Sequence, residues 1–127
     1  MPNYDVAAFD PPAPVAQVTL LNPAGGASGS QATLLVDTGA DATLLPRVAV
    51  ERLGIPIQSD RSYELMGFDG STSFAPGVVL DMVFLQRIFR GRHLLIEAEQ
   101  GVLGRDVLNH VVLLLDGPAR QWSEHSP

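Results

Sequence analysis

At 127 residues the chain is one domain's worth, long enough to bury a real core, since chains of about 150 residues remove about two thirds of their surface from water. It carries 14 Asp and Glu against 8 Lys and Arg, a formal charge of −6, and no cysteine. That balance excludes a disulfide scaffold, thiolate catalysis and every Cys-containing metal site, and it lacks the electrostatic footprint of a nucleic-acid binder. In chain order, residues 1–14 hold Pro2, Pro11, Pro12 and Pro14, so this stretch is expected to be a flexible proline-rich arm. It shows no basic segment followed by an apolar run, and does not read as a secretory signal. The longest wholly apolar run, Val111 to Leu115, is far short of the roughly 20 residues that span a bilayer. A soluble, cytoplasmic protein without membrane partners is the expectation.

Val15 to Leu21 alternates as a strand, and the Gly and Ser cluster from Asn22 to Ser30 is turn chemistry before a second strand, Ala32 to Val36. Pro46 to Leu53 is the clear helix candidate, with Pro46 at the first helical position, Gly54 ending it, and Val48, Ala49 and Leu53 facing a core. Ser62 to Gly67 and Ser71 to Phe74 flank Asp69-Gly70, a hairpin signal because both residues tolerate positive φ. Val78 to Leu85, Ile88 to Glu97 and Val111 to Leu115 follow as strands, with Arg105 to His110 as one or two helical turns. A short last strand precedes a polar tail, 123–127. The pattern is all-β, one compact domain over 15–122, with one or two short helices.

The informative stretch runs from Leu34 to Pro46. An acid, Asp37, ends a fully apolar run and is followed at once by Thr38 and Gly39. Burying a carboxylate without partners is expensive, so the site must supply hydrogen bonds or a neighbour that shares its proton. Asp-Ser/Thr-Gly alone is weak evidence, arising by chance in about one chain of this length in twenty. The flanks add to it: three aliphatic residues before the acid, Ala40 after the glycine, then Thr43 and Leu45 along the exit. Far downstream stands Val102-Leu103-Gly104-Arg105-Asp106. Elsewhere little chemistry is suggested. His93, His110 and His125 are isolated, without HExxH spacing, so no metal is expected. Arg87, Arg90 and Arg92 read as a solvated strand face, and Trp122 as a core or interface anchor.

Together these two motifs resemble the retropepsin-like aspartic peptidases, in the single-domain, non-viral form, and the resemblance covers about residues 15–122. It implies a closed-barrel-like acid-protease fold with one lobe per chain. It also implies an aspartic endopeptidase that needs no cofactor, with catalytic Asp37, Thr38 and Gly39, and a peptide or unfolded protein as substrate. Ala40, Asp41, Val102 and Leu103 would contact substrate, with Leu45 a further candidate for the pockets. Gly67, Phe68, Asp69 and Gly70 would form a flap, and Gly104 and Arg105 would support the loop, Arg105 through a bidentate contact to Asp41. The flap departs from viral relatives, presenting Phe68 and Asp69, and an ordinary surface hairpin is the alternative there. Because the chemistry needs two carboxylates and the chain holds Asp-Thr-Gly once, the active form is expected to be a homodimer. Terminal strands would meet at its interface, with Val15 to Leu21 and Val111 to Trp122 as candidates. The competing class is a catalytically silent dimerisation or peptide-binding module on the same fold.

Overall fold

The computed structural model describes residues 2–25, 29–66, 70 and 72–125. Among the described residues, ten strands and two short helices follow one another. They are β1 (Tyr4–Asp5), β2 (Ala13–Leu21), β3 (Ser30–Val36), β4 (Leu44–Pro46), α1 (Arg47–Glu51), β5 (Gln58–Met66), β6 (Thr72–Phe84), β7 (Arg87–Ile96), β8 (Gly101–Leu103), α2 (Arg105–Leu108), β9 (Leu113–Asp116) and β10 (Gln121–Glu124). The sheet runs β2-β3-β8-β4-β7-β6, and β6 pairs back onto β2 with Leu20 opposite Met82, which closes a six-stranded barrel. Closure removes the open edges that a flat sheet of this size would expose.

The alternation in β2 and β3 explains their inner and outer faces. Ala16, Val18 and Leu20 with Ala32 and Leu34 point into the core beside Val78, Leu80 and Met82 of β6. Gln17 and Thr33, and Gln31 and Thr19, bond each other on the outside at 2.8–3.0 Å. Trp122 is buried, its ring 6.0 Å from that of Phe84 and its indole N–H donating to the Val15 carbonyl at 2.8 Å.

Several elements differ from expectation. The expected arm carries regular structure: Tyr4 and Asp5 pair with Pro14 and Ala13, the Tyr4 N–H donates to the Arg120 carbonyl, and Gln100 donates to Asp5. Its prolines sit at ends and edges, where no ladder N–H is missed. α1 is shorter, because Pro46 is the last residue of β4, opposite Ile96. The helix buries Ala49 and Val50 and leaves Val48 out, so its apolar stripe is shifted by one position. Gly54 ends the segment at φ +68° as expected. Residues 72–84 form one strand despite Pro76. That proline lies just beyond the last pairing of β6 with β7, Gly77 opposite Leu94, where β5 and β6 continue as a two-stranded ribbon with a free side. Five residues connect Met66 to Thr72 in that ribbon, of which Gly70 has φ +82°; Gly67, Phe68 and Asp69 lie outside the described residues. No helix among the described residues is long and apolar enough to cross a membrane.

Candidate active site

β3 and β8 run parallel, Leu35 beside Val102 and Val36 beside Leu103. This pairing brings the two motifs, whose partnered residues lie 67 positions apart, into one layer. β8 also meets β4, with Val102 opposite Leu44. The crossing requires glycine at 101: a Cβ there would come within 2.1 Å of the Leu44 carbonyl oxygen, inside any tolerable contact.

Asp37 is the first residue beyond β3, its N–H donating to the Leu103 carbonyl at 3.1 Å. The chain then turns tightly. Carboxylate Oδ1 of Asp37 accepts the Gly39 N–H at 2.9 Å, and the Ala40 N–H closes onto the Asp37 carbonyl at 3.2 Å. Oδ2 has no protein partner among the described residues. Asp37 is half-buried, and Thr38 and Gly39 are exposed, so the acid is presented at a surface rather than inside a pocket.

Arg105 clamps this turn. Its Nη1 donates to the Thr38 carbonyl at 2.6 Å, its Nη2 to Asp41 Oδ1, and its backbone N–H to the Ala40 carbonyl at 2.9 Å. The expected bidentate contact is therefore divided: one arm of the fork takes the carboxylate and the other the main chain. The rigid guanidinium plane fixes both ends of the 38–41 segment. Leu103 differs more. Its side chain is fully buried in the core, because alternation along β8 turns it inward, away from the surface on which Asp37 stands; Leu45 is likewise buried. Val102 remains half-buried between Leu35 and Leu44, and Gly104 packs against the loop, where a Cβ would lie 2.6 Å from the Ala42 carbonyl.

One connection was missed from the sequence. The Thr43 hydroxyl, on a buried side chain, donates to Asp106 Oδ1 at 2.7 Å and accepts the Gly104 N–H at 3.1 Å, while the Thr43 N–H donates to Asp106 Oδ2 at 3.1 Å. Both residues stood in the motifs, but nothing in the spacing said that they meet. Beside Thr38 an apolar cavity of about 200 Å³ opens, lined by Val36, Thr38, Leu108, Val111, Leu113 and Leu115. Another concavity, of about 660 Å³, lies by α1 and Glu97 and contains none of residues 37–41. Among the described residues no three His, Asp or Glu side chains gather as a metal site.

Comparison with known proteins gives a family and a fold. The family model described as "gag-polyprotein putative aspartyl protease" matches residues 25–110, about two thirds of the chain. No curated protein matches it. Among solved structures, EIAV protease complexed with the inhibitor HBY-793 superposes with a TM-score of 0.56 at 23% identity, covering 77% of this chain and 86% of that one. The barrel is thus the retropepsin fold.

Proposed function

The chain belongs to the gag-polyprotein aspartyl protease family, and from that premise we propose that it is an aspartic endopeptidase acting as a homodimer. Each subunit contributes one Asp37-Thr38-Gly39 turn. The observation that carries the reading is the presentation of Asp37: a carboxylate at the exit of β3, one oxygen held by the Gly39 N–H, the turn clamped by Arg105. A strand that ends in this way spends several hydrogen bonds on holding an acid at the surface. Two such carboxylates across a twofold axis share one proton, the arrangement for which aspartic proteases are the established case. The ionised one takes a proton from water, whose oxygen attacks the scissile carbonyl. The protonated one gives its proton to the carbonyl oxygen; the tetrahedral diol then collapses as the carboxyl that took the water proton gives it to the amide nitrogen, the C–N bond breaks, and a diol hydroxyl returns its proton to the other carboxylate.

Thr38, exposed beside the acid, bonds the partner's turn and keeps the two carboxylates coplanar. Gly39, with no Cβ, lets an extended peptide main chain approach. Ala40, Asp41 and Val102 line the floor, and the ribbon tip at residues 67–70 closes over the substrate and excludes water. Peptides or unfolded segments bind as an added strand, which gives affinity independent of sequence. A cysteine-free acidic chain suits the cytoplasm.

The test is mass-spectrometric profiling of a mixed peptide pool from about pH 4 to pH 7.5, a range that brackets a shared proton, with wild type beside Asp37→Asn. Cuts made by wild type and absent from the variant are the expected result. No difference at any pH, from protein shown to be folded and dimeric, would make the chain a peptide-binding or dimerisation module.

A further inference from the structure

His93 stands on β7 with its side chain buried, at a concavity of about 360 Å³ that β7 shares with α2. Arg90, Arg92, Asp106 and His110 line the same space. The imidazole Nε2 lies 3.3 Å from the Phe89 carbonyl oxygen. A carbonyl cannot donate, so the neutral ring carries its proton on Nε2. Phe89 is four residues back on the same strand, about 13 Å away in straight extended chain. β7 is therefore bent between the two, and Gly91, at φ +142°, is the residue that admits the bend. The other ring nitrogen, Nδ1, is buried with no protein partner among the described residues. A second proton there would leave a donor and a charge unpaired in a dry place, at a cost that only an acceptor can offset.

Two carboxylates act on the ring, Asp81 from β6 and Asp106 from α2. Asp81 is committed elsewhere: it is buried, and Arg90 bonds both of its oxygens, at 2.9 and 3.1 Å. Asp106 is differently placed. It is exposed, and Thr43 holds its two oxygens through one N–H and one hydroxyl. The other charged or titratable groups in the concavity cannot serve. Arg90 and Arg92 carry no acceptor, and His110 carries no negative charge.

We infer that His93 is a proton-operated positioning residue: when its ring takes a second proton from solvent, the Nδ1–H draws the Asp106 carboxylate across the concavity and away from Thr43. Thr43 then keeps its hydroxyl bond to the Gly104 N–H, and the 37–43 loop loses its tie to α2 while the Arg105 clamp on the exposed side remains. The turn that presents Asp37 is tied on both sides when His93 is neutral and on one side when it is charged. Burial holds the ring neutral below the usual histidine range, so the release belongs to acid conditions. As regulation of a peptidase this rests on the proposed function.

The test reads the loop itself and needs no substrate, so its failure is distinct from failure of the peptidase reading. Wild-type protein is titrated by NMR from about pH 7.5 to about pH 4.5, a span that brackets a lowered histidine. The His93 Cε1–H signal and the Thr43 and Gly104 amide signals are expected to shift with one midpoint. Across that midpoint the exchange protection of the two amides, corrected for intrinsic rates, should fall by about tenfold or more while that of Val18 in β2 holds. In His93→Gln, whose amide keeps a donor for Phe89, both amides should stay level through the same range. A His93 ring that titrates while both amides stand still would overturn the proposal, and so would a ring that never titrates in the folded protein or amides that shift equally in His93→Gln. The wild-type titration decides by itself where the variant does not fold.

Discussion

The Thr43 hydroxyl does more for the site than its place at the rim of the motif suggests. It bonds both the buried Gly104 N–H and the Asp106 carboxylate, and so it ties the 37–43 loop to the start of α2 while Arg105 ties it from the exposed side. Thr43→Val keeps the shape and removes both bonds. A buried donor left unsatisfied costs about 1–3 kcal/mol, and a bond to a charged group adds to that. The expected loss is about 2–4 kcal/mol, read as a lower urea midpoint with unchanged slope. Thr43→Ser, which keeps the hydroxyl, should recover most of it. An unchanged midpoint in Thr43→Val would mean that water replaces the hydroxyl and that Arg105 and the residue 43 N–H bond to Asp106 suffice to hold the loop.

Among the elements, those with local signals were legible and those made by distant pairing were not. The alternation of Val15 to Leu21, the β5–β6 ribbon flagged by Asp69-Gly70 and the stop at Gly54 could be read from the sequence, because each depends on its own residues. The strands β4 and β8 are three residues each; they exist because the barrel offers them neighbours, and no periodicity can show in so short a run. The amino-terminal segment was misread for the same reason, since its partners, Arg120 and Trp122, lie at the other end of the chain. Asp37 and Arg105 were legible as motif residues, but the Thr43–Asp106 bond and the inward turn of Leu103 needed the parallel pairing of β3 with β8. β7 carries a second group that the sequence left as unremarkable. His93 is buried, which pushes its imidazole below the usual range, while its bond to the Phe89 carbonyl and the Asp106 and Asp81 carboxylates pull the other way; Arg90, Arg92 and His110 line the same concavity. Asp81 is held below the usual carboxylate range by its hydrogen bonds from Arg90. Between about pH 6.5 and the lower folded value, the unfolded chain binds a proton that folded His93 refuses. Stability from this group is thus complete above about pH 6.5 and declines as pH falls, by at most about 1.4 kcal/mol per pH unit. Urea midpoints at pH 7.5 and 5.5 should fall for wild type and fall less for His93→Gln, which retains an N–H donor for Phe89. Equal declines would place the acid sensitivity in other groups.

For the whole molecule, the closed barrel bears on the proposed dimeric peptidase. Six strands satisfy one another around the ring, so on that proposal a second Asp37 comes from another subunit rather than from a rearranged sheet. The proposal has an arithmetic consequence that stability measurements do not reach. In wild-type protein every dimer holds two acids; when wild type is co-refolded with Asp37→Asn, subunits combine at random and only wild-type pairs remain complete. Activity per wild-type chain then falls in proportion to the wild-type fraction, to about one half in an equal mixture and about one tenth with a ninefold excess of variant. The variant barrel should fold normally, since Asn can accept the same Gly39 N–H through its carbonyl oxygen. Were one subunit sufficient, added variant would leave the rate untouched. Were the variant simply unfolded, it would not enter dimers and the rate would again be untouched, so its far-ultraviolet circular dichroism must match wild type before the mixture is read. A linear fall toward one tenth would establish that both acids act in one site.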